Sequence, residues 1–169
     1  MADVTLEPAA RDRRVTFENL FQLYTHDFSE FWADRPEGEL DEDGLFGEYA
    51  YLDSYWAEPR REPLLIRADG QLAGFALVND FAHSGLAVDY SMAEFFVVRK
   101  HRRAGVGQAA ASAIIAARPG QWEIAVIRRN TPAEPFWRGV AAAAAAGEVE
   151  ALDRRDARWD GLILRFRSA

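Results

Sequence analysis

The sequence predicts an α/β protein, layered in the α+β manner, with a mixed central sheet of about six to seven strands flanked by about four helices. The first third of the chain repeats apolar residues at helical spacing, whereas the middle third favours short strands. The last third alternates strand and helix patterns, which indicates crossover connections. No linker or internal repeat divides the chain, so we expect a single domain over residues 1–169.

The N-terminal third is predicted to contain one strand and two helices. A strand is expected at residues 4–6, before Pro8. Residues 14–32 place aromatic and aliphatic side chains every three or four positions, the pattern of an amphipathic helix. An acidic loop follows at residues 34–44, and the same helical spacing returns at residues 45–56.

The rest of the chain is predicted to alternate strands with turns and helices. Asp69-Gly70 is a hairpin turn signal between two apolar runs, and Pro119-Gly120 ends a helix. Strands are predicted at residues 64–67, 71–78, 88–98, 122–127, 148–152 and 162–166, and helices at residues 107–118 and 132–146.

Composition excludes several classes of protein. With 20 basic and 27 acidic residues the net charge is −7, which argues against a general nucleic-acid binder. The absence of cysteine excludes disulfides, thiolate zinc sites and a cysteine nucleophile, and no histidine pair has metal-ligand spacing. No segment approaches the roughly 20 apolar residues of a membrane helix, and the N-terminus has no signal-peptide core. We therefore expect a cytoplasmic protein with no metal, nucleic-acid or membrane partner.

The most informative segment is residues 94–108, EFFVVRKHRRAGVGQ. A strand leads into a basic turn with two glycines and then a helix start, which together can cradle a phosphate. The plainer interpretation is a strand-to-helix turn with solvated arginines. A P-loop is excluded because no lysine follows Gly107, and a dinucleotide fold would need its glycines after the first strand of a parallel sheet.

Two motifs in this order make the resemblance specific. Residues 102–107, RRAGVG, match the Gln/Arg-x-x-Gly-x-Gly/Ala signature of the GNAT family of N-acetyltransferases, and residues 95–98 match its central strand. One helix and one strand later, residues 130–137 match the family's asparagine followed by an Asn-x-x-Ala-x-x-aromatic helix start. The chain therefore resembles the bacterial, small-acceptor type of this family.

The resemblance implies a site for acetyl-CoA as cosubstrate. Val97 and Val98 would pair their backbone with the pantetheine arm, Asn130 would bond that arm or a nearby water, and Phe136 would pack on it. The backbone amides that would hold the pyrophosphate belong to Arg102, Arg103, Ala104, Gly105, Val106, Gly107 and Gln108. The implied acceptor is a small-molecule amine; a protein acceptor and a homodimer are also open.

The resemblance breaks at one catalytic position. Many family members place there a tyrosine that protonates the leaving thiolate, whereas this chain has Trp137, whose indole N–H does no proton-transfer work. Because a thiol has a reference pKa of about 8.5, the thiolate can leave with modest help. An acyl-CoA-binding protein without turnover is therefore the main alternative to an enzyme. We also expect either Phe136 or Trp137 to be a core residue, since adjacent residues do not share a helix face.

A general base is needed because an alkyl ammonium must lose a proton before it attacks a thioester. Glu94, on the central strand just before the cofactor residues, is the candidate; His83 is the second choice. The other interpretation of Glu94 is a strand carboxylate that faces solvent or pairs with an arginine. In an ideal strand Glu94 and Phe96 face one side and Phe95 and Val97 the other, although a bulge would exchange them.

Aromatic residues cluster where this fold usually builds its acceptor pocket. With the acidic loop they could receive a cationic amine, but simple packing of aromatic side chains on the sheet explains them better. These residues are Tyr49, Tyr51, Tyr55 and Trp56.

Overall fold

The computed structural model describes residues 2–169 and contains a mixed seven-stranded sheet flanked by four helices, which confirms the predicted fold class. The strands are Val4–Pro8 (β1), Glu62–Ala68 (β2), Gln71–Asn79 (β3), Tyr90–Val97 (β4), Gly120–Ile127 (β5), Glu150–Arg155 (β6) and Asp160–Ser168 (β7). The helices are Arg14–Ser29 (α1), Ser54–Ala57 (α2), Val106–Ala116 (α3) and Ala133–Ala144 (α4).

The strand order is β1-β2-β3-β4-β5-β7-β6, and every neighbouring pair is antiparallel except β4 and β5. A parallel pair needs a crossover, which α3 supplies. The β4–β5 ladder contains only the pairs Tyr90↔Trp122 and Ser91↔Glu123. Beyond Ser91 the two strands therefore separate, and a gap opens towards their carboxyl ends.

Hydrophobic cores cover both faces of the sheet. On one face α1 buries Phe17 and Phe21 against Phe75 and Phe96, as its helical spacing predicts. On the other face α3 and α4 pack against the sheet around a fully buried Trp122. The sheet thus separates an α1 side from an α3 side, and each side chain of β4 belongs to one of them.

A β-bulge decides which side each residue of β4 faces. Leu77 pairs with Glu94 but Val78 pairs with Met92, so the register shifts between them. Beyond the bulge, Glu94 and Phe96 lie on the α1 side, whereas Val97 packs against α3. This is the alternation expected of an ideal strand between residues 94 and 97.

The predicted helix at residues 45–56 is wrong except for its last turn, Ser54–Ala57. The side chain of Gln22 bonds both main-chain groups of Phe46, donating to its carbonyl at 3.0 Å and accepting from its N–H at 2.9 Å. Phe46 also bridges Leu40, and Leu45 is 51% exposed. Main-chain groups that are bonded to a side chain in this way do not form the hydrogen bonds of a helix. The regular spacing of apolar residues in this segment therefore reflects the packing of a loop.

Smaller differences concern the ends of elements. Helix α1 ends at Ser29 instead of residue 32, and β4 begins at Tyr90 instead of residue 88. Strand β6 occupies Glu150–Arg155, later than the predicted residues 148–152, because it follows the register of its partner β7. Between residues 2 and 169, no helix combines the length and the apolar character needed to cross a bilayer.

Candidate active site

The glycine turn predicted to hold a pyrophosphate lies at the start of α3. Gly105 is the N-cap of this helix with φ of 80°, and Arg103 also has a positive φ of 61°. The N–H groups of Val106, Gly107 and Gln108 form the first turn, where no preceding helical carbonyl can accept their hydrogen bonds. A Cβ built on Gly105 meets no atom within 4 Å, so the turn faces open space. This geometry suits a phosphate group.

The side chain of Arg102 holds this turn against the rest of the molecule. Its Nε donates to the carbonyl of Val97 at 2.6 Å, its Nη2 bonds Asp27 of α1, and its guanidinium lies 5.3 Å from the ring centre of Phe96. Arg99 also donates to Asp27, at 2.7 Å. Burial raises the pKa of Asp27, but hydrogen bonds from the two arginines outweigh burial and hold that pKa below its usual value. Arg102 therefore positions the turn through its side chain.

The two valines predicted to contact the pantetheine arm differ in whether their main-chain N–H and carbonyl groups are already hydrogen-bonded within the protein. The N–H of Val98 donates to Ala73 at 2.9 Å, and its carbonyl accepts from His101 at 3.0 Å. Val97 lies one residue earlier, where β4 has no partner on the β5 side. Both main-chain groups of Val98 thus have partners within the protein, whereas Val97 faces the gap; contact of either valine with the pantetheine arm stays a prediction.

Glu94 lies on the α1 side of β4, partly buried beneath aromatic rings. The hydroxyl of Tyr24 donates to its Oε2 at 2.5 Å. Burial raises the pKa of Glu94 from 4.5 to about 7, although the hydroxyls of Tyr24 and Tyr49 act in the opposite direction. Among residues 2–169, no cation forms an ion pair with this carboxylate. A carboxylate with a pKa near neutral pH can accept a proton from an ammonium group.

The predicted aromatic set divides between the site and the core. Tyr49 stacks on Phe21 at 4.6 Å and lies beside Glu94, and burial raises its pKa. Tyr55 is only 2% exposed and accepts a hydrogen bond from Asn79, whereas Trp56 donates to the carbonyl of Ala9. Packing therefore explains Tyr55 and Trp56. Tyr51 is 63% exposed.

Two of the acidic residues considered for a cationic amine are paired with arginines. Asp34 pairs with Arg129 of the loop after β5, and this hydrogen bond lowers the pKa of Asp34 to about 2. Asp53 pairs with Arg14 at 2.8 Å, a hydrogen bond that lowers its pKa as well. These carboxylates do not form an open site for a cationic amine.

The second motif lies at the carboxyl end of β5. Main-chain hydrogen bonds hold Asn130, whose N–H donates to Ile127 and whose carbonyl accepts from Ala133. Phe136 is half-buried and faces Gly107, on which a built Cβ would lie 3.5 Å from its ring. Trp137 is 8% exposed and packs edge-on against Phe95 at 5.1 Å. Trp137 is thus the core residue of the pair.

The histidines lie outside this constellation. His83 is half-buried between Phe81 and Trp159, and burial lowers its pKa despite the opposing effect of Glu123. His101 lies in the turn before the glycines and His26 on the exposed side of α1. Sequence reasoning missed the roles of Tyr24 and Asp27. In the sequence Tyr24 belongs to the row of apolar residues on the buried face of α1. Its hydroxyl group, a polar atom in an otherwise apolar row, is the only local sign of a different role.

A splayed parallel strand pair and a glycine turn that opens a helix define an α/β fold that can hold a phosphate-containing ligand near a carboxyl of raised pKa. The chain belongs to the acetyltransferase (GNAT) family, whose model matches residues 17–140. It is thus a GNAT-type acetyltransferase, and this fold supports binding of CoA. No curated protein matches the sequence.

Solved structures show the same fold at low identity. An acetyltransferase from Thermus thermophilus is 16% identical, with 97% of this chain and 96% of that chain covered and a TM-score of 0.68. The PaiA N-acetyltransferase of Thermoplasma acidophilum, in complex with coenzyme A, is 12% identical, with coverage of 98% and 99% and a TM-score of 0.58. The spermidine N-acetyltransferase of Vibrio cholerae, in complex with CoA and spermine, is 12% identical, with coverage of 97% and 94% and a TM-score of 0.58.

Proposed function

We propose that this protein transfers the acetyl group of acetyl-CoA directly to a primary amine within a ternary complex. One observation carries the proposal: Glu94, whose pKa is about 7, lies on β4 three residues before Val97, on the strand that borders the open gap. A base at this place can deprotonate an amine next to a thioester held along β4.

Acetyl-CoA would lie across the turn and along the gap. The first-turn N–H groups of α3 would hold its pyrophosphate, and the pantetheine arm would follow β4 as an added strand next to Val97. Phe136, close to Gly107, would form the wall on the α4 side. Val98 has no place in this arrangement because both its main-chain groups are bonded.

The reaction would proceed in a balanced sequence. Glu94, directly or through water, takes a proton from the ammonium form of the acceptor, whose reference pKa is about 10.4. The amine nitrogen then bonds to the thioester carbonyl carbon, while the N–H of Val97 stabilises the negative oxygen. The C–S bond breaks, and the nitrogen loses its second proton to solvent to give the amide. The thiolate, with a reference thiol pKa of about 8.5, takes a proton from solvent because the indole N–H of Trp137 does no proton-transfer work.

The alternative is an acyl-CoA-binding protein without turnover, which Trp137 favours. Release of free CoA from acetyl-CoA in the presence of a panel of amines separates the two possibilities. We expect release with at least one primary amine. Binding of acetyl-CoA with no release for any amine would instead support the binding protein.

The turn is tested separately by CoA affinity. Gly107→Val adds side-chain bulk beside Phe136 and the first-turn amides, and should weaken CoA binding tenfold or more, about 1.4 kcal/mol. Gly139→Val makes the same change on an exposed position of α4 and should leave CoA affinity unchanged. Equal affinity in a folded Gly107→Val protein would contradict this assignment. A cytoplasmic location, a homodimer and the single domain stay predictions.

A further inference from the structure

A cleft lies between the segment that follows α1, the end of β5 and the turn that joins β6 to β7. We call it the arginine cleft, and its walls include Phe31, Trp32, Arg35, Arg128, Arg158 and Trp159. Its position matters because the gap between β4 and β5 opens towards the same edge of the sheet. No role has yet been given to these residues.

Some arginines of the arginine cleft are paired with carboxylates and others are not. Arg128 bonds both Asp153 and Asp160, and Arg129 on the same wall bonds Asp34. Another nearby carboxylate, that of Asp156, is held by Arg154 at 3.1 Å and by two main-chain N–H groups. The acidic groups of the cleft are therefore already engaged.

Two arginines of the cleft have no such partner. Within residues 2–169, neither Arg35 nor Arg158 forms an ion pair, although Arg35 lies close enough to Asp34 to help lower its pKa. An unpaired guanidinium presents a planar set of N–H donors that matches a carboxylate. That of Arg158 lies over Gly85 at the border of the cleft, and both arginines are exposed.

The cleft also has an apolar side. The Nε1–H of Trp159 is buried, with almost no surface open to the cleft, and has no hydrogen-bond partner in the described part of the chain. The rings of Phe31, Trp32 and Trp159 supply an apolar surface beside these donors.

An aromatic path joins the cleft to Glu94. Tyr24, which bonds Glu94, contacts Phe28 at 4.6 Å between ring centres, and Phe28 contacts Trp32 of the cleft at 5.3 Å. The aromatic residues of α1, continued by Trp32 just after its end, thus extend from the proposed base to the cleft.

We propose that the arginine cleft binds the carboxylate of the acceptor, so that the acceptor is a primary amine that also carries a carboxylate and an aromatic or large apolar group, such as a free aromatic amino acid. This inference rests on the proposed function for its amine and on the cleft for its carboxylate. It disfavours polyamines, because the carboxylates of the cleft are already bonded to arginines or main-chain groups whereas Arg35 and Arg158 have no ion-pair partner.

Direct binding tests the carboxylate without requiring turnover. N-acetyl-phenylalanine and N-acetyl-phenylalaninamide differ only in the charge of one group and can be titrated calorimetrically into the protein saturated with CoA. We expect the acid to bind at least tenfold more tightly, with a preference that weakens as salt increases. Equal affinities, or binding of neither compound, would overturn the proposal.

Variants of the cleft arginines test whether the preference for the carboxylate arises in the arginine cleft. Arg158→Gln and, separately, Arg35→Gln should reduce the preference for the acid over the amide, whereas Arg155→Gln, an exposed arginine of β6 outside the cleft, should retain it. Unchanged thermal midpoints show that each variant is folded. If the preference survives both cleft variants, the carboxylate binds elsewhere and the proposal fails.

Turnover separates this inference from the proposed function. We expect faster CoA release with phenylalanine than with phenylalaninamide or spermidine, although the amide has the less basic amine and more of it is unprotonated. No release with any amine counts against the proposed function alone, because the titration still decides the cleft. Faster turnover of spermidine would support an acetyltransferase and overturn the carboxylate site.

Discussion

Glu94 on β4 and Glu123 on β5 are two interior carboxylates on adjacent strands, and their surroundings are opposite. Glu123 is 0% exposed, and its Oε2 accepts from Arg165 at 2.9 Å and from the hydroxyl of Ser84 at 2.5 Å. Its Oε1 accepts from the N–H of Ser84 at 3.1 Å. Glu94 receives a phenol hydroxyl from Tyr24 and no cation.

This difference separates a structural carboxylate from the one proposed as the general base. A buried ion pair compensates the desolvation of both partners, and Arg165 also links β7 to the loop before β4 by donating to the carbonyl of Ala87. Without a counter-charge, desolvation acts on Glu94 alone and raises its pKa to about 7. The less exposed of the two groups is thus the less suited to proton transfer, because its charge is already compensated.

The largest expected effect is on the structural pair. Arg165→Leu would leave the charge of Glu123 buried and unpaired, and should lower the free energy of unfolding by about 3–5 kcal/mol. Denaturant unfolding measures this loss. The double variant Arg165→Leu/Glu123→Leu should recover much of it, since no buried charge then remains. A single variant as stable as the wild type would contradict the role assigned to the pair.

The next largest effect is a loss of turnover on substitution of Glu94, the proposed general base. Glu94→Gln should lower kcat by about 10²-fold with little change in the affinity for acetyl-CoA, because the proton acceptor is lost and the turn is untouched. Glu39→Gln, an exposed change in the acidic loop, serves as the control. A Glu94→Gln enzyme of near-normal rate across the pH range would remove Glu94 from the mechanism, leaving His83 or a water chain as the base.

The stability of the same variant should depend on pH in a defined direction. Because folding raises the pKa of Glu94 from 4.5 to about 7, its favourable contribution is complete below pH 4.5 and is lost as the pH rises through 7. Glu94→Gln should therefore stabilise the fold relative to the wild type more at pH 8 than at pH 5. Equal differences at both values would show that the pKa of Glu94 is not raised.

A smaller loss of stability is expected when the hydroxyl group that donates a hydrogen bond to Glu123 is removed. Ser84→Ala removes one hydrogen bond to a buried carboxylate and should lower the free energy of unfolding by about 1.5 kcal/mol, while kcat stays unchanged. Ser112→Ala on α3 is a matched control. A loss of activity without a loss of stability would place Ser84 in the reaction instead of the core.

The smallest effect is a shift in a pH profile. Tyr24→Phe removes the hydroxyl that lowers the pKa of Glu94, so the acidic limb of the rate profile should move upward by about 1 pH unit or less. Tyr51→Phe, at an exposed position, should leave the limb in place. A downward shift would contradict the direction assigned to this hydrogen bond.

Structure that depends on neighbouring residues could be predicted from the sequence. The predictions that were wrong concern segments whose conformation depends on residues far away in the chain. The turn at residues 102–108 needs only glycines, a preceding strand and a following helix, all within one segment. The helix predicted at residues 45–56 failed because its spacing is local, whereas Gln22, 24 residues away from Phe46, occupies the main-chain groups such a helix would need.

The sequence by itself determined the layered α/β fold and the glycine turn, because hydrophobic periodicity and turn chemistry depend on neighbouring residues. Glu94 became a candidate base through its place beside the cofactor residues that the family resemblance implies. Only the tertiary structure decided which partners each carboxylate has. Tyr24 reaches Glu94 across 70 positions, and Arg165 reaches Glu123 across 42. The arginine cleft likewise joins three separate parts of the chain. A pKa or a binding preference depends on desolvation and on charges that other elements bring close, and no local pattern contains that information.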